Sequence, residues 1–193
     1  MLMRTRVSAM VVSSSLALAA CTDATAVTTS PVTRFVSPAS ADALVTGASR
    51  ASGHVTLHGT TVQNIVDETI SFTALGSGDG NLGKGQVEVH ALRFTGEELV
   101  VHADVTCVSV VGANAFIGSR VTRFVLDGEE QPIEGAPMVF QVRDGGEGDD
   151  AIDQASLVFF GVPVGGDLTY CATHPAIPIL RPSDNGNVQV KSD

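Results

Sequence analysis

Tryptophan is absent and tyrosine occurs once, so with eight Phe the aromatics make up only 5% of the 193 residues. Surfaces that stack bases or sugar rings are built from such residues, and this chain has little to build them with. Basic residues are scarce too: 11 Lys plus Arg stand against 21 Asp plus Glu, a formal charge of −10. That balance repels a phosphate backbone and argues against nucleic-acid binding. There are three cysteines. No apolar run reaches the roughly eighteen residues that a membrane-spanning helix needs. Gly-x-Ser-x-Gly, His-Glu-x-x-His, Walker A and Cys-x-x-Cys are all missing, so no local signature marks an enzyme. What remains is apolar and turn-rich. Hydrophobic residues at 44% with charged residues at 17% suffice for a core and argue against wholesale disorder. Twenty glycines and a lean toward Val point to strands joined by tight turns.

The N-terminus reads as an address. Arg4 and Arg6 precede the small and apolar run from Val7 to Ala20. As a helix that run spans roughly 21 Å, short of the ~30 Å bilayer core, as in the apolar region of a signal peptide. It ends in Leu18-Ala19-Ala20-Cys21. These four residues resemble the lipobox of bacterial lipoproteins, which implies cleavage before Cys21 and a lipid on its sulfur. Thr22 follows where an Asp would direct retention, so the resemblance implies an outer-membrane destination if the envelope has one. Cleavage would remove two arginines and no acids, moving the charge from −10 to −12. The expectation is a protein anchored to the membrane by lipid and not spanning it. Residues 21–51 then form the lipidated Cys and a flexible tether rich in Thr, Ala, Ser and Pro. As a random coil such a tether reaches roughly 30 Å. Residues 52–193 form a single domain.

That domain reads as all-β, with about eight antiparallel strands in a barrel-like or sandwich arrangement. The predicted strands are His54–His58, Thr69–Leu75, Gln86–Arg93, Leu99–Val110, Ala115–Leu126, Met138–Arg143, Ser156–Phe160 and Asn187–Val190. Gly- and Asp-bearing turns separate them, and the last strand is expected beside the first. No window shows a sustained 3.6-residue period, so long helices are not expected. With Cys21 lipidated, Cys107 and Cys171 are an even pair in an oxidising compartment and predict one disulfide. It would tie an irregular C-terminal tail to the sheet, a closure worth roughly 4 kcal/mol in the chain-entropy model.

Two segments match a dinucleotide fingerprint in spelling, Gly78–Gly83 and Gly146–Ala151. The first precedes an alternating strand and not a helix, and the second carries three acids, so both read as turns. Within the second, Asp144, Glu147, Asp149, Asp150 and Asp153 could gather hard oxygens around calcium, although the EF-hand spacing is absent. The competing reading is a solvated acidic loop. His54 and His58 are four strand steps apart, roughly 13 Å, too far for one metal. His90 and His102 flank the turn at Thr95–Glu98. If the hairpin centres on Gly96, His90 lies opposite His102 and Glu88 opposite Asp104, a four-residue candidate for a metal or acid–base site. The competing reading is a polar outer face with cross-strand pairing, and a slip in register would dissolve the cluster.

In their order along the chain, Gly53-His54-Val55-Thr56, Val105-Thr106-Cys107, Gly112-x-Asn114-x-Phe116-Ile117-Gly118 and Gly186-Asn187-Val188-Gln189-Val190 resemble a group of secreted bacterial β-rich proteins. The resemblance implies a single secreted domain over residues 52–190 and brings no activity with it. The expectation is an acidic, extracytoplasmic, lipid-anchored β domain that binds an envelope protein and is not an enzyme, with no cofactor. The alternatives are a calycin-like barrel holding a small apolar ligand and a metal-assisted hydrolase using the His90/His102 face.

Overall fold

The computed structural model describes residues 48–59, 64–77, 82–147, 151–175 and 179–192. The signal region, Cys21 and the expected tether up to residue 47 lie outside the described residues, as do Asp149 and Asp150. In chain order the elements are β1 (Ser49–His58), β2 (Ile65–Gly76), β3 (Gly83–Arg93), β4 (Glu98–Val111), β5 (Asn114–Leu126) and β6 (Glu129–Glu130). There follow β7 (Pro137–Arg143), β8 (Gln154–Ala155), β9 (Phe159–Phe160), α1 (Gly166–Thr173), β10 (Arg181–Pro182) and β11 (Asn185–Ser192). The strands form one antiparallel sheet in the order β10-β8-β7-β5-β4-β3-β2-β1-β11, with β6 added to β5 and β9 to β7. The last strand does pair with the first. The sheet curls into a half-barrel.

Alternation decides which face turns inward. In β3, Val87, Val89 and Ala91 are buried while Gln86, Glu88 and His90 are exposed, and β1, β2 and the first half of β4 repeat the pattern. The inward rows meet in one core that includes Leu57, Ile70, Ile117, Met138 and Phe140. The Phe72 and Phe140 rings cross it edge to face, 5.5 Å apart. Burying such side chains is the main force that curls the sheet on itself.

The predicted stretch Ser156–Phe160 is not one strand. β8 and β9 both pair with β7, and between them Leu157 and Val158 turn into the core. The displaced Val158 N–H finds a side-chain acceptor, Glu68 Oε1, at 2.9 Å. Glu68 occupies an inward position on β2 and is 1% exposed, and its Oε2 has no hydrogen-bond partner. Burial pushes its pKa up to about 8, against the opposing pull of the Val158 N–H.

The tail around Cys171 is helical, not irregular as the sequence suggested. In α1 the buried positions are Asp167, Tyr170 and Cys171, a single stripe of an eight-residue helix. Two turns are too few to show a period in the sequence. Cys171 reaches back to Cys107 on β4, forming the expected disulfide with Cα atoms 6.2 Å apart.

Two predictions follow from this packing. Replacing both Cys107 and Cys171 by Ser will lower unfolding stability by about 4 kcal/mol in the chain-entropy limit, read from denaturant midpoints; an unchanged midpoint would contradict a structural role. Glu68→Gln keeps an acceptor for Val158 and removes the charge. Because the folded pKa lies above the ordinary 4.5, Glu68's contribution is complete below that pH and erodes as pH rises to about 8. The variant will therefore be the more stable protein at pH 8, by a few kcal/mol at most, and will match the parent near pH 4.

Candidate functional site

On the outer face the antiparallel register sets side chains in cross-strand rows. One row runs Asn187, His54, Ser71, Glu88, His102 and Arg123 across β11, β1, β2, β3, β4 and β5. The row beside it runs Gln189, Ser52, Thr73, Gln86 and Asp104. Between them the twist of the sheet opens a groove of about 380 Å³, lined on its polar side by Ser71, Thr73, Gln86, Glu88, His102 and Asp104.

The four residues expected from the sequence are all on this face, but their pairing differs. Glu88 lies opposite His102, His90 opposite Val100, and Asp104 opposite Gln86. The hairpin centres on Thr95, one residue before the expected Gly96. Gly96 donates its N–H to Arg93 O and adopts φ +86°, while Arg93 N–H bonds Glu97 O. A three-residue loop of this kind places its glycine at the left-handed third position, not at the centre. A shift of the centre by one residue moves each partner by two, so the faces are kept and the His90/His102 pairing is lost. Glu88 Oε1 instead meets His90 Nε2 on its own strand at 2.6 Å. That bond, helped by the His102 charge, holds the Glu88 carboxyl below its usual pKa. Among the described residues no group of three or more His, Cys, Asp or Glu side chains could hold a metal ion.

Of the acidic loop the structure describes Asp144, Glu147 and Asp153, and two of these carboxylates are bonded to backbone amides. Asp144 Oδ2 accepts the Val190 N–H at 3.0 Å, and Asp153 Oδ2 accepts the Val188 N–H at 2.6 Å. Their other oxygens accept N–H groups of the loop, Gly146 to Asp144 and Gly145 to Asp153. Val188 and Val190 belong to β11, the outermost strand at one end of the sheet, while the loop follows β7 near the other end. The two carboxylates thus close the half-barrel along a seam where no strand ladder forms. Asp153 O also receives the Ser183 N–H as the chain crosses from β10 to β11. Glu147 is exposed and takes no part.

Sequence reasoning missed the groups under α1. Asp167 is fully buried and accepts hydrogen bonds from Thr106 Oγ1 at 2.8 Å and Arg120 Nε at 3.1 Å. Burial pushes its carboxyl up, but these bonds, the Arg120 charge and the Leu168 N–H outweigh it and leave the pKa below the usual range. Gly118 on β5 makes room for this contact, since a Cβ there would lie 2.5 Å from Cys107 Sγ and 2.7 Å from Asp167 O. At the other end of the helix Ser109 Oγ and His174 Nε2 are 2.6 Å apart, with the imidazole tilted against Phe116. Ser109 is buried on the sheet beneath the helix, so this Ser–His pair pins α1 down. The one advance signal for Asp167 was an acid just after Gly165-Gly166, where it favours a helix start.

Replacing Asp144 and Asp153 together by Ala will cost about 1–3 kcal/mol per lost charge-assisted bond. It will also speed hydrogen exchange at the Val188 and Val190 amides, measured by NMR, more than at Val87 or Val89. Because these carboxylates are already bonded to the backbone, millimolar calcium will leave the melting temperature of the parent unchanged. A calcium-dependent rise would contradict the seam. No family model matches this chain, and neither a curated protein nor a solved structure matches it.

Proposed function

We infer that this chain is a lipid-anchored, extracytoplasmic β domain, attached through Cys21 and a tether, that acts by binding an envelope protein across its outer sheet face. The observation that carries binding over ligand storage is the filled interior. Leu57, Ile70, Ile117, Met138 and Phe140 occupy the inward positions where a calycin-like barrel would keep space for an apolar guest. The hydrolase reading loses its ligand set once His90 and His102 fall into different rows. A polar groove flanked by a sheet face on which no described helix packs suits a protein contact. Anchoring rests on Arg4, Arg6, the apolar run and the lipobox-like Leu18–Cys21, and a disulfide accords with an oxidising compartment. Among the described residues no helix is long and apolar enough to cross a membrane.

Two measurements test this. In a bacterial host an alkynyl fatty acid will label the full chain but not a Cys21→Ala variant, which will leave the membrane fraction; labelling that survives in the variant refutes the anchor. A photo-crosslinking amino acid placed at Gln86 will form an adduct that is lost when His102→Glu is added. Equal adducts from Gln86 and from Glu134, outside the groove, would refute the outer face as the contact.

A further inference from the structure

The outer face is not uniform in charge. At the end of the half-barrel where β1 begins, Lys191, Arg50, Leu75 and Lys84 form one outward cross-strand row over β11, β1, β2 and β3. Arg50, Lys84 and Lys191 are exposed, and none of the three has an ion-pair partner among the described residues. They are three of only 11 basic residues in the chain. Two apolar side chains stand out among them: Leu75 is 42% exposed and Leu82, where the β2–β3 turn returns, is 71% exposed. The opposite end, by contrast, carries exposed Glu98, Asp127, Glu129, Glu134 and Asp184. Asp144 and Asp153, which lie at the basic end, spend their carboxylates on the seam, leaving Glu147 as the exposed described acid there.

We propose that this basic, leucine-tipped end docks on an anionic phospholipid surface, with Leu75 and Leu82 at the headgroup boundary and Arg50, Lys84 and Lys191 against lipid phosphates. The occupant follows from charge and from where the chain leads. A chain of net charge −10, or −12 after cleavage before Cys21, is repelled as a whole by an anionic bilayer, and among the described residues this end gathers three exposed cations without ion pairs beside two exposed leucines. This is also the end at which the chain from Cys21 enters the sheet, at Ser49. The proposal rests on the lipid-anchor reading for its setting. It does not follow from that reading, because a tether of this length leaves the domain free to stand away from the bilayer or to meet it by any face. Docking would fix one orientation, turning the acidic end outward and setting the groove at the side.

The absence of tryptophan makes the test direct. The full chain, purified from bacterial membranes, is reconstituted as Leu82→Trp or as Phe94→Trp, the second at the opposite end. The vesicles are phosphatidylethanolamine with phosphatidylglycerol, the ethanolamine lipid brominated on its acyl chains. Trp at 82 will be blue-shifted and quenched, and Trp at 94 will not. Neutralising Arg50, Lys84 and Lys191 to Gln will weaken docking roughly fivefold per residue and abolish the quenching, as will high salt. Flotation with the vesicles reports the anchor separately. A chain that floats while Trp at 82 stays unquenched, or is quenched no more than Trp at 94, overturns the docking and leaves the anchor standing. A chain that neither floats nor shows quenching overturns both. Quenching at low salt in a chain that fails to float at high salt, where docking is lost, refutes the anchor and supports the surface.

Discussion

A curled sheet that stops short of a full barrel must dispose of the backbone donors and acceptors on its two end strands. Here the outermost strand β11 gives its Val188 and Val190 amides to two aspartates from the far side of the gap. Without those carboxylates the amides would lose their partners, and an open edge invites pairing with other chains. The short crossing from β10 to β11 depends on the same join, since Asp153 holds Ser183 as well as Val188. Asp144 and Asp153 are therefore the latch of the fold.

Once the latch holds, the two faces take different fates. The inward face fills with aliphatic side chains and two phenylalanines, at the cost of one buried carboxyl. Glu68 is retained there because the bulge between β8 and β9 leaves Val158 without a ladder partner, and an apolar residue at that position could not receive its N–H. The outward face is divided. Over β4, β5 and β7 it is covered by α1, held by the Cys107–Cys171 bridge, the Asp167 ion pair and the Ser109–His174 bond. Over β1, β2 and β3 no described helix lies on it. The groove lies along the flank of that portion and the basic row at its end.

Much of this was legible in advance because a strand announces its faces every second residue. Glu88, His90, His102 and Asp104 were correctly placed on one face, which is the outward one, even though the pairing between them was displaced. Parity survived because the error in the hairpin centre shifted partners by an even number. The metal-like cluster did not survive, since ligand geometry depends on the exact partner and not on the face. The helix was invisible for the opposite reason: its buried stripe of Asp167, Tyr170 and Cys171 contains one apolar ring, one acid and one cysteine. No hydropathy pattern distinguishes that from an irregular tail.

By itself the amino-acid sequence determined the class of the fold, the position of most strands, one outward polar set and the cysteine pair. Each is encoded locally, by alternation, turn residues and count. Tertiary structure alone decided which carboxylates are latches and which are free, where the hairpin turns, and which few cations of an acidic chain gather at one end. Those outcomes depend on contacts between residues far apart in the chain: Asp144 with Val190, Glu68 with Val158, Lys191 with Arg50, Arg50 with Leu75. Nothing in the spacing of such residues along the chain records the curvature that brings them together.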